Sequence, residues 1–176
     1  MKLYAARHGE TQWNAQNKVC GRIDLPLTEK GRTQGEALTE KAVLLDIDLI
    51  LSSPMLRARQ TAALVAEKCG VPVIIDDRLI EQAYGIYEGV DRKNPDFLAN
   101  KRQFAYRYPG GESMMDVAHR VYGLLDEVKG KYCGKNVLLV CHGGVCRVIR
   151  TYFEDMTNEE YFQYSEENAT VRAYEL

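Results

Sequence analysis

The sequence predicts an α/β fold, a three-layer α/β/α sandwich with a mostly parallel central sheet. Two observations lead to this prediction. Short apolar runs rich in β-forming residues alternate along the chain with segments in which apolar residues recur every three or four positions. Strands that alternate with helices favour parallel pairing, with helices on both faces of the sheet. The 176 residues show no internal repeat or interdomain linker, so we expect one domain over 1–176.

Five short apolar runs are candidates for the strands, and we expect four or five of them to form. In chain order they are residues 2–6 (KLYAA), 48–52 (DLILS), 71–76 (VPVIID), 136–141 (NVLLVC) and 170–176 (TVRAYEL). Each has the length of a strand rather than that of a typical helix.

Three segments between these runs have the apolar period of a helix, and each presents one apolar stripe. The stripes are formed by Leu38, Ala42 and Leu45; by Ala58, Ala62, Val65, Ala66 and Cys69; and by Val117, Val121, Leu124, Leu125 and Val128. The second helix has distinct boundaries, because Ser53 is predicted as its N-cap, Pro54 as its first residue and Gly70 as the residue beyond its end. Residues 91–111 fit neither period. We interpret them as a cap insertion over the sheet, with a short helix at 95–104.

Composition and charge argue against several classes of partner. The formal net charge is −2, and no run of Lys and Arg is dense enough to bind a polyanion, so nucleic acid is not expected. No apolar stretch reaches the roughly 20 residues that span a bilayer, and the first residues lack the apolar core of a signal peptide. The five cysteines do not have the even, close spacing of a disulfide framework. We therefore expect a cytoplasmic protein with free thiols and no membrane partner.

The reactive side chains follow the predicted strands at their carboxyl ends, where open parallel sheets bind ligands. These ends carry two arginines, two histidines and one carboxylate: Arg7, His8, Arg57, Glu81 and His142. Arginine suits bidentate contacts with phosphate, and helix N-termini add backbone donors. A histidine placed among them can attack phosphorus, and a carboxylic acid can protonate the leaving oxygen. The pattern thus predicts phosphoryl-transfer chemistry.

Six blocks of the sequence resemble, in order, the motifs of the histidine phosphatases, also called the phosphoglycerate mutase-like superfamily. They are ARHGETQWN, GRIDLPLTEKGRTQ, SSPMLRARQTA, LIEQAYGIYEG, PGGES and VCHGGVCR. The resemblance implies the phosphoglycerate mutase-like fold, and it implies a catalytic group of five residues. In this group His8 forms a phosphohistidine through Nε2, Arg7, Arg57 and His142 hold the phosphoryl oxygens, and Glu81 acts first as general acid and then as base.

The resemblance also implies what the protein binds. The phosphate- and substrate-binding set would be Arg7, Asn14, Gly21, Arg57, Glu81, His142 and Gly143. No metal or organic cofactor is expected, because the cationic and histidine side chains replace a metal ion. We expect a small-molecule phosphate ester as the partner, and a homodimer is compatible with the sequence.

Within this family, mutases carry an arginine directly after the catalytic glutamate and a long insertion beyond it. Here Gln82 occupies that place and the segment before PGGES is short, so a phosphomonoester hydrolase acting on a small phosphorylated metabolite is favoured over a phosphoglycerate mutase. The cap insertion is expected to select the substrate. Its cations, candidates for a second phosphate or carboxylate, are Lys93, Lys101, Arg102 and Arg107; its aromatic residues, candidates for an apolar pocket, are Phe97, Phe104, Tyr106 and Tyr108.

Three rival interpretations depend on other features. Cys141 and Arg147 have the C-x5-R spacing of cysteine-based phosphatases, but Val148 stands where that class commonly has a hydroxyl residue, and the other motifs would then have no role. A metal site of Cys141, His142 and Cys146 lacks a fourth ligand at a supporting spacing. A non-catalytic phosphate-binding domain would typically have lost the nucleophile or the acid, and both are present here.

Overall fold

The computed structural model describes residues 1–175, and its centre is a five-stranded sheet. The strands are β1 (Lys2–Arg7), β2 (Leu49–Ser52), β3 (Val73–Ile75), β4 (Val137–Cys141) and β5 (Val171–Glu175). Their order across the sheet is β3-β2-β4-β1-β5, and only β5 runs antiparallel to its neighbour. The predicted α/β class with a mostly parallel sheet is confirmed. The last residue of the predicted fifth strand, Leu176, lies outside the described residues.

Seven helices surround the sheet within residues 1–175. They are α1 (Gln12–Ala15), α2 (Glu29–Ala42), α3 (Leu56–Cys69), α4 (Pro95–Lys101), α5 (Met114–Lys131), α6 (Gly143–Phe153) and α7 (Asn158–Gln163). Three short 3-10 turns lie at Val43–Leu45, Asp77–Leu79 and Gly85–Tyr87. None of the described helices is both long enough and apolar enough to cross a lipid bilayer.

The strands direct alternate side chains to two separate cores, as the period of a strand requires. On one face, strand residues such as Leu3 and Leu139 pack with the apolar stripe of α5 and with α6. On the other face, Ala6, Ile50 and Leu138 pack with α2 and α3. The sheet is therefore the middle of three layers.

The start of α3 differs from the prediction. The helix begins at Leu56 with Met55 as N-cap, and neither Ser53 nor Pro54 belongs to it. A residue distant in sequence provides the reason, because the first helical amide, Leu56 N, donates to Asp24 Oδ1 at 2.7 Å. Ser53 is used elsewhere, since its Oγ lies 2.7 Å from His142 Nε2. The predicted end is correct, because Gly70 caps the helix with φ 68°.

In residues 91–111, the predicted cap insertion, the helix α4 is shorter than the predicted 95–104. Asn94 caps α4, and Phe97 packs in an aromatic cluster with Tyr87 and Tyr108. Phe104 leaves this cluster and packs between Tyr161 and Phe162, with ring centroids at 5.3 and 5.4 Å. The chain must leave the helix to reach that second position, so α4 ends at Lys101.

Candidate active site

Strand register brings the two histidines together. Arg7, the last residue of β1, pairs directly with Cys141, the last residue of β4. The next residue on each strand is a histidine, and the ring centroids of His8 and His142 lie 5.0 Å apart. The rule that parallel strands present their carboxyl ends at one edge therefore places both rings at the same rim.

His8 has its Nδ1 and Nε2 atoms in different roles. Nδ1 lies 2.6 Å from the carbonyl oxygen of Gly9, and because a carbonyl can only accept, Nδ1 carries the proton. Nε2 accepts a hydrogen bond from Arg57 Nε at 3.2 Å, so it holds the lone pair. Burial, followed by the charges of Arg57 and Arg7, lowers the pKa of His8 well below its usual value. The ring is thus neutral, with Nε2 available as a nucleophile.

Arg57 orients both histidines from beneath. Its Nε also donates to His142 Nδ1 at 3.3 Å, so one N–H is shared by the two rings. Its terminal nitrogens donate to the carbonyl oxygens of Ile23 and Gly21. His142 must then carry its proton on Nε2, which donates to Ser53 Oγ. Burial and the Arg57 charge lower the pKa of His142 as well.

Arg7 has a buried hydrogen-bond donor, Nε, that lacks a partner within residues 1–175. Its Nη1 donates to the carbonyl of Glu166, but within residues 1–175 Nε has no acceptor, and no other buried side-chain nitrogen or oxygen is left unpaired. The residue is only 7% exposed, so water does not easily replace the missing acceptor. A buried, unpaired donor costs free energy unless a ligand accepts from it. Arg7 Nε therefore remains available to an acceptor in the adjacent cavity, which Arg7 lines.

Glu81 is held against the start of α6. Its Oε2 accepts from the amide of Gly144 at 3.1 Å, and its Oε1 accepts from the amide of Gln82 at 2.9 Å. A Cβ on Gly144 would lie 2.6 Å from Oε1, so a glycine is needed for this approach. Glu81 is 5% exposed and lines the same cavity as His8.

The predicted site residues divide into two sets around this cavity. Those that line it are Arg7, His8, Asn14, Glu81 and Gly143. Arg57, His142 and Gly21 lie behind the lining, with Arg57 and His142 fully buried. Gly21 acts there through its backbone, because its carbonyl accepts from Arg57 and its amide donates to Glu88 Oε2 at 2.9 Å. Asn14 is oriented by Thr11, whose amide donates to Asn14 Oδ1 at 3.1 Å.

Few of the cap residues that were predicted to contact the substrate line the cavity, and several residues that were not predicted do line it. Of the four predicted cations, only Lys101 lines the cavity, and of the four aromatic residues, only Phe97 does. Arg102 and Arg107 instead form exposed ion pairs with acidic residues. The missed lining residues are Val19, Cys20, Tyr84, Arg92, Gly144, Arg147 and Ser165. Arg147 had a signal in its spacing from Cys141, but the sequence could not show that its side chain reaches the cavity.

The rival chemistries find little support in this geometry. Cys141 is completely buried, is not part of the cavity lining, and has its pKa raised well above the usual value by burial and by Cys146. A thiolate nucleophile is therefore disfavoured. Both ring nitrogens of His142 are engaged by Arg57 and Ser53, and residues 1–175 contain no group of three side chains arranged to hold a metal ion.

Known proteins resemble this chain in sequence. It is 39% identical over 153 residues to the probable phosphoglycerate mutase GpmB of Cronobacter sakazakii, which covers 81% of this chain and 70% of the relative. It is 38% identical over 153 residues to the protein of the same name from Escherichia coli O1:K1, with the same coverage.

Solved structures resemble it closely in fold. A mycobacterial glucosyl-3-phosphoglycerate phosphatase superimposes with a TM-score of 0.89 at 28% identity, covering 98% of this chain and 90% of the other. A putative α-ribazole-5'-P phosphatase from Escherichia coli K-12 superimposes with a TM-score of 0.85 at 26% identity, covering 98% and 89%. The family model of the histidine phosphatase superfamily (branch 1) matches residues 3–176. The chain therefore belongs to the histidine phosphatase superfamily.

Proposed function

We propose that this protein is a phosphomonoester hydrolase that cleaves a small phosphorylated metabolite through a phosphohistidine on His8. One observation carries the proposal. The unprotonated Nε2 of His8 belongs to a cavity that also presents the unpaired Nε–H of Arg7 and the carboxyl group of Glu81. The nucleophile, the hydrogen-bond donor to the anion and the proton donor are thus each held in place by hydrogen bonds to backbone groups.

In the first step, His8 Nε2 attacks phosphorus and the bond to the ester oxygen breaks. Protonated Glu81 gives its proton to that oxygen, so that an alcohol leaves. The positive charge that develops on the imidazole is stabilised through Nδ1–H by the Gly9 carbonyl, 2.6 Å away. Once Nε2 is bonded to phosphorus it no longer accepts from Arg57, whose Nε–H keeps its hydrogen bond to His142 Nδ1, so the unpaired Nε–H of Arg7 is the donor available to a phosphoryl oxygen.

In the second step, water attacks the phosphohistidine while the carboxylate of Glu81 takes its proton. The N–P bond breaks and inorganic phosphate leaves, which returns His8 to its neutral form. The same carboxyl group serves both steps, because the amides of Gly144 and Gln82 hold it in one position at the cavity.

The second candidate is a phosphoglycerate mutase, which the names of the curated relatives favour. A mutase must return the phosphoryl group to a bound hydroxyl instead of to water. Gln82, which follows the catalytic carboxylate, is 2% exposed and donates to the backbone of Glu112, so it does not reach the cavity to hold such an acceptor. The phosphatase names of the solved structures favour hydrolysis.

The test is phosphate release from p-nitrophenyl phosphate and from a panel of metabolite esters. We expect His8→Ala to abolish release and to abolish an acid-labile phosphoenzyme in rapid-quench labelling. His119→Ala, at an exposed histidine outside the site, and Cys141→Ser, which removes the rival nucleophile, should both keep most of the activity. Loss of activity in Cys141→Ser with retention in His8→Ala would overturn the mechanism, and phosphoglycerate interconversion far above phosphate release would identify a mutase.

A further inference from the structure

We infer that the substrate carries a second anionic group in addition to the phosphoryl group that is cleaved, and that Arg92, Lys101 and Arg147 bind it. The inference rests on the proposed function and defines the class of substrate. It starts from a charge imbalance: the cavity is lined by four cations but by a single carboxylate, that of Glu81. One phosphoryl group is served by Arg7 and His8, which leaves three cations without an assigned partner.

These three cations have no acidic partner in the part of the chain that the structure describes. Within residues 1–175, none of Arg92, Lys101 and Arg147 forms an ion pair, whereas the exposed Arg102 pairs with Glu159 at 3.2 Å. The exposed cap cations Arg102 and Arg107 pair with carboxylates; the exposed Lys93 forms no ion pair within residues 1–175, but unlike the three cavity cations it does not line the cavity. Charges that are kept both unpaired and partly desolvated are typical of a binding site.

The two guanidinium groups are nevertheless held in place by neutral groups. Arg92 Nε donates to the carbonyl oxygen of Lys18 at 3.0 Å. Arg147 donates from Nε and Nη2 to the carbonyl oxygen of Tyr164, at 3.1 and 2.9 Å, and lies over the ring of Tyr161. Backbone carbonyls orient these cations without neutralising them. Their positive charge is therefore preorganised for a ligand.

Lys101 supports the same conclusion. Its Nζ makes no hydrogen bond within the described residues, and burial together with Arg147 and Arg92 lowers its pKa to about 8. The lysine is thus placed against two other cations in a partly buried position. An anion between them would relieve this repulsion and restore the pKa toward its usual value.

The spacing of Gly143 and Arg147 on α6 indicates the size of substrate that we expect. Arg147 follows Gly143 by one helical turn on α6, so the two positions lie on the same side of the helix and about 6 Å apart along its axis. Gly143 adjoins Arg7 at the phosphoryl site, with 3.5 Å between a Cβ built on the glycine and Arg7 Nε. A spacing of one turn suits two anionic groups joined by a few carbon atoms. A small phosphocarboxylate or a small bisphosphate has this geometry.

Matched substrate pairs test the inference. One pair is 3-phosphoglycerate and glycerol 3-phosphate, which differ by a carboxylate; the other is propane-1,3-diol bisphosphate and 3-hydroxypropyl phosphate, which differ by a phosphate. The wild-type protein should prefer the doubly anionic member of at least one pair by about 10-fold or more in kcat/KM. The pair that shows the larger preference identifies the second group as a carboxylate or as a phosphate.

Two variants locate the effect. Lys101→Met and Arg92→Gln should each lower kcat/KM for the preferred doubly anionic substrate by about 10- to 100-fold, which is the range for a lost hydrogen bond to a charged group. The same variants should change kcat/KM for the singly anionic partner by less than about 3-fold. Arg102→Met is the matched control, since it removes an adjacent cation outside the cavity, and it should change neither. Circular dichroism checks that each variant is folded.

The inference fails if the wild-type protein shows no preference within either pair, or if both cavity variants affect the two members of a pair equally. It also fails if Arg102→Met has the same effect as Lys101→Met. These outcomes are distinct from failure of the proposed hydrolysis, in which no substrate of the panel releases phosphate in a manner that depends on His8.

Discussion

The two buried, neutral histidines make the stability of the protein depend on pH in a defined way. His8 is 3% exposed and His142 is completely buried, and burial, followed by the charge of Arg57, lowers the pKa of both well below the usual value. In the unfolded chain each ring titrates at a pKa of about 6.5. As the pH falls through this value, the unfolded state therefore takes up protons that the folded state does not. The free energy of unfolding must decrease.

The size of the effect follows from the unfolded pKa alone, provided that the folded rings stay neutral down to pH 5.5. Between pH 7.5 and pH 5.5, proton uptake by one unfolded histidine lowers the free energy of unfolding by about 1.4 kcal/mol. Two such rings give about 2.7 kcal/mol. This contribution is absent well above pH 7 and grows toward acid, which is the opposite of what a histidine paired with a carboxylate would give.

Urea unfolding at the two pH values measures the effect. Other titrating groups also contribute, so the informative quantity is the difference in pH dependence between wild type and a variant. In His8→Asn this difference should be about 1.4 kcal/mol, because one neutral ring has been removed. His119→Asn, at an exposed histidine, should show the wild-type pH dependence. An unchanged pH dependence in His8→Asn would refute the argument that His8 is held neutral.

Two further predictions concern Glu81. In Glu81→Gln the hydrolysis of an alkyl phosphate should slow by about 100-fold or more. The hydrolysis of p-nitrophenyl phosphate should slow much less, because its leaving group scarcely needs a proton. Equal losses of rate in steady-state assays would contradict the general-acid role. Gly144→Ala places a Cβ 2.6 Å from Glu81 Oε1 and should lower kcat/KM by about 10- to 100-fold by displacing the carboxyl group. Its control is Gly123→Ala, where a Cβ meets nothing within 4 Å, and equal activities of these two variants would argue against the displacement.

The parts of the site that the sequence predicted are those set by the chain direction of the strands. His8 and His142 could be placed at one rim because each directly follows a buried apolar run, and parallel strands end at the same edge. The helix end at Gly70 was predictable for a similar reason, since a glycine with positive φ is a local requirement. The local backbone requirement of a residue and the direction of a strand can both be predicted from the sequence alone.

Other features depend on contacts between distant segments. The true start of α3 is fixed by Asp24, which lies 32 residues before the amide it caps. Arg147 and Arg92 reach the cavity because of how α6 and the cap insertion pack, and the apolar pattern of neither segment shows this. The same holds for Arg57, which is buried beneath the histidines and does not line the cavity. Tertiary packing decides which side of an element faces a ligand.

The N–H that Arg57 shares between His8 and His142 has one more consequence. Neither imidazole can take up a proton at the nitrogen that faces Arg57 without setting two N–H groups against each other. An anion that accepts from both would remove this conflict, so a proton and an anion enter the site together more readily than either does alone. We therefore expect the affinity of this site for an anion to depend on the proton concentration of its surroundings.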